Sequence, residues 1–254
     1  MQRNNEAVGR YRRLRIANVI VGVVLAAEVA AILLLSNDLS LPVFGSFLTE
    51  DPVEVQGAAG AEKLFAIPLG PAIALFLALA AIDHFIVAAP RIHQWYERKL
   101  DLRANYARWI EYSVSASIMI VLIAMLAGIR DIAALVGLFA ANSAMILFGL
   151  LMERQQDPAN PDWSAFWFGS LIGAAPWVAI GVYLGGADGV PGFVWAIVGF
   201  ELVLFFSFAV NMWLVYHQVG RWRDYVFGES AYISLSVVSK SLLAWLVFAN
   251  VLRT

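Results

Sequence analysis

Six ionisable side chains stand inside long apolar stretches of the sequence: Glu28, Asp83, His84, Glu111, Glu201 and Lys240. A charge at the centre of a bilayer costs about 3 kcal/mol on insertion scales, so each such group needs a partner or a purpose. Lys240 carries the sharpest chemistry. It lies about ten residues into the last apolar run, too deep for its chain to reach either surface readily. A lysine there is paired with a carboxylate, neutral, or covalently modified. A desolvated neutral amine is a nucleophile toward aldehydes, which is Schiff-base chemistry. From the residue alone two readings stand open, that chemistry and a structural ion pair.

Glu111 is the natural partner, in the run Arg108-Trp109-Ile110-Glu111-Tyr112-Ser113. One opposite charge at ~4 Å, with an effective dielectric near 20, is worth ~4 kcal/mol, about three pKa units. Ser115 stands one turn beyond Glu111, and Ser236 one turn before Lys240, so each pair shares a helix face. Either hydroxyl can then bridge carboxylate and nitrogen. Hydropathy places Glu111 shallower than Lys240. The two are expected to meet because the third helix begins earlier, near Leu100, and carries Asn105 and Arg108 along a polar cavity. His84 and Asp83 in the second span, and Glu28 in the first, are expected to complete that cavity with Asn105, Arg108 and Glu111. The plainer reading of His84 is a hydrogen-bonded histidine in a packed core. One of Glu28 and Asp83 is free to face a lipid headgroup or a neighbouring subunit.

The elements that must position these groups are set by composition. Of 254 residues, 61% are hydrophobic and 14% charged, far from the mix of a soluble domain. The apolar residues gather in runs of roughly 20, enough to cross ~30 Å of hydrocarbon as helix. Hydropathy gives seven spans: Ile16–Ser36, Phe65–Ala88, Trp109–Gly128, Ile132–Met152, Phe166–Leu184, Phe193–Tyr216 and Ala231–Leu252. The first run is long and lacks a small-residue cleavage pattern, so it reads as a span and not as a signal peptide. The chain is read as one seven-helix domain over 1–254, all-α, with a basic tail at 1–15. There is no cysteine, which excludes disulfides, thiolate metal sites and cysteine nucleophiles.

Basic residues fix the orientation. Thirteen of the 17 lie on one side: Arg3, Arg10, Arg12, Arg13 and Arg15, then Arg91, Arg98, Lys99, Arg103 and Arg108, then Arg154, Arg221 and Arg223. Lys63, Arg130 and Arg253 lie on the other. The N-terminus is therefore expected in the cytoplasm and the C-terminus outside, in a multi-pass protein of the cell membrane. The external connection at 37–64 carries Asp38, Glu50, Asp51, Glu54 and Glu62. Its segments Leu41–Phe44 and Gly45–Leu48 are expected to form short strands in an ordered cap.

Several stretches together give the chain a resemblance to the heliorhodopsins, a family of microbial retinal proteins. They are Asn37-Asp38 through Leu41-Pro42, His84-Phe85-Ile86-Val87, Arg108-Trp109 through Ser113, and Met145-Ile146-Leu147-Phe148-Gly149. Phe166-Trp167-Phe168-Gly169, Pro176-Trp177, Val190-Pro191-Gly192-Phe193-Val194, and Ala231-Tyr232-Ile233 through Lys240-Ser241 follow. A cytoplasmic N-terminus is that family's mark. The resemblance implies a rhodopsin-like bundle with covalent all-trans retinal on Lys240, Glu111 as counterion, Ser236 as its hydrogen-bond partner and His84 as a cavity histidine. Met119, Asn142, Trp177, Phe205 and Met212 fall where pocket residues are implied, although the plain reading of such side chains at helical spacing is packing. It also implies a homodimer, and Gly169 with Gly173 offers a close-packing pattern within or between subunits. There are departures. The nearest positions to a second family histidine on the first helix are Leu25 and Glu28, Met212 replaces a commonly polar residue, and Glu201 has no counterpart.

Pumping rhodopsins place an acceptor, a residue four on, and a donor eleven on along the third helix. Here these are Glu111, Ser115 and Leu122, so the donor is missing. The outer halves, for example Met119–Leu126 and Leu242–Val247, are nearly all apolar, a barrier to any ion. The expected function is light sensing. All-trans to 13-cis isomerisation of a protonated Schiff base would be read by an unidentified cytoplasmic partner, without net transport. The alternatives are a light-driven ion pump, or a secondary transporter using Lys240 and Glu111. Paired interrupted helices, which a transporter would show, are not seen. No Ser/His/Asp set, HExxH or phosphate loop suggests an enzyme, and neither a metal nor a nucleic-acid partner is expected.

Overall fold

The structure is a computed structural model that describes residues 2–47, 60–155 and 160–253. Helix α1 runs Gln2–Leu35, α2 Leu69–Ala88, α3 Pro90–Asp101, α4 Tyr106–Leu126 and α5 Ile132–Gln155. Then come α6 at Ser164–Gly186, α7 at Gly192–Tyr216 and α8 at Tyr225–Val247. All but α3 are long and apolar enough to cross a membrane, seven spans among the described residues. Away from their ends such helices satisfy the backbone internally, as hydrocarbon demands.

Local chemistry explains where these helices begin. The Asn105 side chain accepts from Arg108 N at 3.1 Å and caps α4. Asp224 accepts from Val226 N at 3.1 Å and starts α8 six residues before the expected Ala231. Asp131 accepts from Ala133 N and Ala134 N at the start of α5. Gly128, at φ +103, turns the chain out of α4 with a conformation that suits glycine.

Three expectations are corrected. The third span does not begin near Leu100, because α3 is a separate short helix. Pro90 opens it, and Arg103 adopts φ 54, a left-handed conformation through which no α-helix can continue. The second span begins at Leu69 and not at Phe65, because Ala61–Pro68 is a strand. The two strands expected at Leu41–Phe44 and Gly45–Leu48 are one, β1, at Ser40–Ser46, while Leu48 lies outside the described residues. Its antiparallel partner is β2, Ala61–Pro68, with Ser40 opposite Pro68 and Ser46 opposite Ala61. Leu41 and Val43 point from β1 into the core, every second residue as a strand requires.

The hairpin is tied to the bundle at several points. Asn37 N donates to Leu252 O at 3.0 Å, and Phe44 N to Arg130 O at 2.9 Å. Ser36 also forms a bridge with Arg253. At the other end, Arg10 pairs with Asp224, Tyr11 bonds Asp101, and Arg15 Nε donates to Ala88 O at 2.8 Å. The basic ends of α1 and α3 and the start of α8 therefore share one end of the bundle, and the hairpin caps the opposite end. An apolar core of Leu25, Ile32, Ile73, Leu77, Ile120 and Ile123 fills the half nearer the hairpin.

Candidate chromophore site

Lys240 stands on α8 with 3% of its surface exposed. A helical side chain leans back toward the N-terminus of its helix. Nζ accordingly reaches Ser236, one turn earlier, and donates to its Oγ at 2.9 Å. Nζ also lies 3.4 Å from Glu111 Oε2 and 4.6 Å from the centre of the Tyr112 ring. The sequence expectation that Lys240, Glu111 and Ser236 converge therefore holds in the geometry, although its stated reason, an early start of the third helix, does not. The length and backward lean of the lysine chain close the difference in depth. Glu111 Oε1 has no hydrogen-bond partner among the described residues.

The amine opens on an apolar cavity of about 150 Å³, where a single water needs about 10–15 Å³. Met119, Met145, Trp177, Phe205, Phe208 and Met212 are among its walls, with Lys240, Ser236 and Ser239 at one end. Trp177 and Phe205 meet edge to face at 5.3 Å, and Tyr112 meets Phe208 likewise at 5.6 Å. Two glycines let the walls close. A Cβ on Gly149 would come within 2.5 Å of the Trp109 ring, and one on Gly173 within 2.1 Å of Met145 Sδ. The Gly169/Gly173 pattern is thus occupied inside the chain, where α6 packs on Met145 and Phe148 of α5.

Met119, Trp177, Phe205 and Met212 fall in this wall as the family resemblance implies. Asn142 does not. It is fully buried on α5, and its Nδ2 donates to Ser117 Oγ at 3.1 Å. Ser115 is also fully buried, and its Oγ bonds to neither Glu111 nor Lys240. Both face helix packing, because one residue of offset turns a side chain by about 100° around the axis.

The polar network also differs from expectation. His84 Nδ1 shares a hydrogen bond with Asn18 Oδ1 at 2.6 Å, which is the plainer reading of that residue. Asn105 and Arg108 belong to a separate buried cluster. The Arg108 guanidinium bonds Glu229 and Glu153 and lies 3.9 Å over the Tyr232 ring. Asn105 Nδ2 donates to Glu229 Oε1 at 2.6 Å, and Trp109 Nε1 to Glu153 Oε2 at 2.7 Å. Tyr112 joins this cluster to the amine, since its hydroxyl donates to Tyr232 O at 3.1 Å while its ring lies against Nζ. Asp83 stands within electrostatic range of Glu111, Lys240 and Glu229. Glu28 is not part of this network. It accepts from Ser241 Oγ at 2.8 Å and Trp245 Nε1 at 3.1 Å, on the hairpin side of Lys240. Sequence reasoning missed Asn18, Glu153 and Glu229. The one available signal was Arg108 itself, since a buried arginine requires acids.

A polyene aldehyde fits this donor set. The walls are apolar and aromatic over their length, one amine stands at one end, and a carboxyl beside that amine has an oxygen to spare.

The heliorhodopsin family model matches residues 14–252 of the chain. Among solved structures, a light-driven proton pump rhodopsin of Coccomyxa subellipsoidea is similar with TM-score 0.59 and 16% identity, over 93% of this chain and 96% of that one. A light-driven proton pump of Leptosphaeria maculans is similar with TM-score 0.59 and 14% identity, over 93% and 94% of the two chains. Among individually curated proteins none matches. At such identities the structural likeness speaks for the fold alone.

Proposed function

Since the chain belongs to the heliorhodopsin family, whose membership implies a retinal chromophore, we propose that Lys240 carries all-trans retinal covalently and that the protein is a light sensor. One observation supports this above the others: a buried amine opening on an apolar cavity, with a carboxyl 3.4 Å away. When bound, retinal supplies a polyene that absorbs visible light and changes shape about one double bond, and an aldehyde that joins an amine. Lys240 offers the nitrogen. Glu111 supplies the negative charge that holds a proton at that nitrogen, and Ser236 fixes its direction. Met119, Trp177, Phe205 and Met212 exclude water and bound the apolar length.

Sensing without transport is supported by the half of the bundle nearer the hairpin. Leu122 occupies the position at which a pump carries its donor, and it is buried in the apolar core. Its neighbours Met119, Ile120, Ile123 and Met125 are buried there too. An ion passing between these side chains would lose its hydration, and none of them carries a group to replace it. Polar groups concentrate instead at the basic end, which the charge distribution assigns to the cytoplasm. A shift of charge at the Lys240 nitrogen is carried to that end through Tyr112 and the Arg108 cluster, where a cytoplasmic partner reads it. The protein acts as a homodimer in this reading.

The test is direct. Cells expressing the chain with added retinal turn coloured, and borohydride reduction followed by mass mapping finds the retinyl group on Lys240. An adduct on any other residue ends the assignment. Illumination of unbuffered cell suspensions leaves the external pH unchanged, and a light-driven pH change that collapses with a protonophore would mean a pump instead.

A further inference from the structure

Glu201 is the acid that the chromophore reading leaves without a task. It stands on α7, one turn on the hairpin side of Phe205, with its side chain wholly buried. Ser239 Oγ donates to its Oε2 at 2.8 Å, while Oε1 has no hydrogen-bond partner among the described residues. Ser239 itself lines the cavity and directly precedes Lys240.

Charge balance decides the state of this acid. Nζ of Lys240 is directed to Glu111 and Ser236. Among the described ion pairs no basic side chain bonds Glu201. One buried cation balances one carboxylate, and Glu111 already provides it. A carboxylate has about four lone-pair sites to fill, and Glu201 has one serine. A group so poorly supplied is tolerated in a dry interior as the neutral acid, which can also return a hydrogen bond to the serine.

We propose that Glu201 is a proton-bearing acid that positions the Ser239 hydroxyl at the Lys240 end of the cavity, so that the pair sets the colour of the bound chromophore and responds to its change of shape. This rests on the reading that Lys240 carries retinal. In the ground state positive charge sits at the Lys240 nitrogen, and excitation draws it along the polyene. A serine oxygen held near that end stabilises the ground state more than the excited state and raises the excitation energy. Glu201 acts only through Ser239 and is a positioning residue.

Infrared spectroscopy with isotope-labelled glutamate tests this on the retinal-free protein and on the pigment. The expected result is a protonated-carboxyl C=O band in both preparations that is missing in E201Q. In S239A the same band moves to the higher frequency of an acid without a hydrogen bond. In the pigment, illumination shifts the band, and S239A absorbs to the red of the unmodified protein. If E201Q removes no such band, or if it turns the visible pigment into a near-ultraviolet one at neutral pH as E111Q does, Glu201 is a carboxylate and the proposal is overturned. A protein that keeps the Glu201 band but never becomes coloured with retinal overturns the chromophore reading, and the tuning role with it.

Discussion

At the scale of single residues, the site rests on one cation and its choice among several acids. Glu111 bonds Lys240, while Asp83 lies within electrostatic range of both. Glu111→Gln removes an interaction worth about 4 kcal/mol, roughly a thousandfold in the proton equilibrium at the nitrogen. The expected pigment still holds retinal, but at neutral pH its visible band gives way to near-ultraviolet absorption. An unaltered spectrum would transfer the counterion role to Asp83. Arg108 is a second residue-scale case, since among the described ion pairs it is the cation paired with both Glu153 and Glu229. Arg108→Ala leaves two buried carboxyls without their cation and costs on the order of 3–5 kcal/mol. Thermal unfolding in detergent is then expected well below that of the unmodified protein. Removing one acid, as in Glu153→Gln, is expected to cost less, because Glu229 still balances the arginine.

What the sequence reveals at this scale depends on whether identity or direction is asked. Lys240, Glu111 and Ser236 are legible because a charge deep in an apolar run must be answered by something within reach. Ser115 and Asn142 were misplaced because the rotation of each helix is set by its neighbours, which spacing within one helix does not report. Glu153 and Glu229 stand near helix ends, where the sequence alone gives no sign that they are buried. They are buried against neighbouring elements, Glu229 bonded by Tyr96 of α3 and by Asn105, and Glu153 by Asn105 N, Arg108 and Trp109 at the start of α4.

At the scale of elements, hydropathy finds seven spans because hydrocarbon thickness fixes their length, and all seven recur in the structure. It fails at their edges. The stretch 65–68 reads as the start of a helix because it is apolar, yet it belongs to β2 and pairs with β1. The break at Arg103 carries no glycine or proline to announce it. Packing between elements gives a sharper test. Gly149→Ala puts a methyl into the Trp109 ring, which its bond to Glu153 holds in place. Overpacking of this kind costs about 1–3 kcal/mol, so a lower melting temperature is expected with little pigment formed. Gly173→Ala meets only the flexible end of Met145, a side chain that can move into the cavity. Its expected mark is a shifted absorption maximum with near-normal stability. Equal loss of stability in both variants would mean that Met145 has no room to yield.

At the scale of the whole molecule, the unequal division of basic residues predicts which end faces the cytoplasm. The absence of native cysteine makes this easy to measure. Asp38→Cys is expected to react with a membrane-impermeant maleimide on intact cells, and Arg13→Cys only after permeabilisation. The reverse pattern would turn the molecule over and remove the ground for a cytoplasmic partner.

The hairpin has a mechanical meaning for such a receptor. Through Asn37 and Leu252 it ties the exit of the first span to the end of the last, and through Phe44 and Arg130 to the start of α5. Three spans are thereby clamped at one rim, as staves are by a hoop. If Lys240 carries the chromophore as proposed, a push from the middle of such a barrel is expected to spread the end without the hoop, where the basic residues lie.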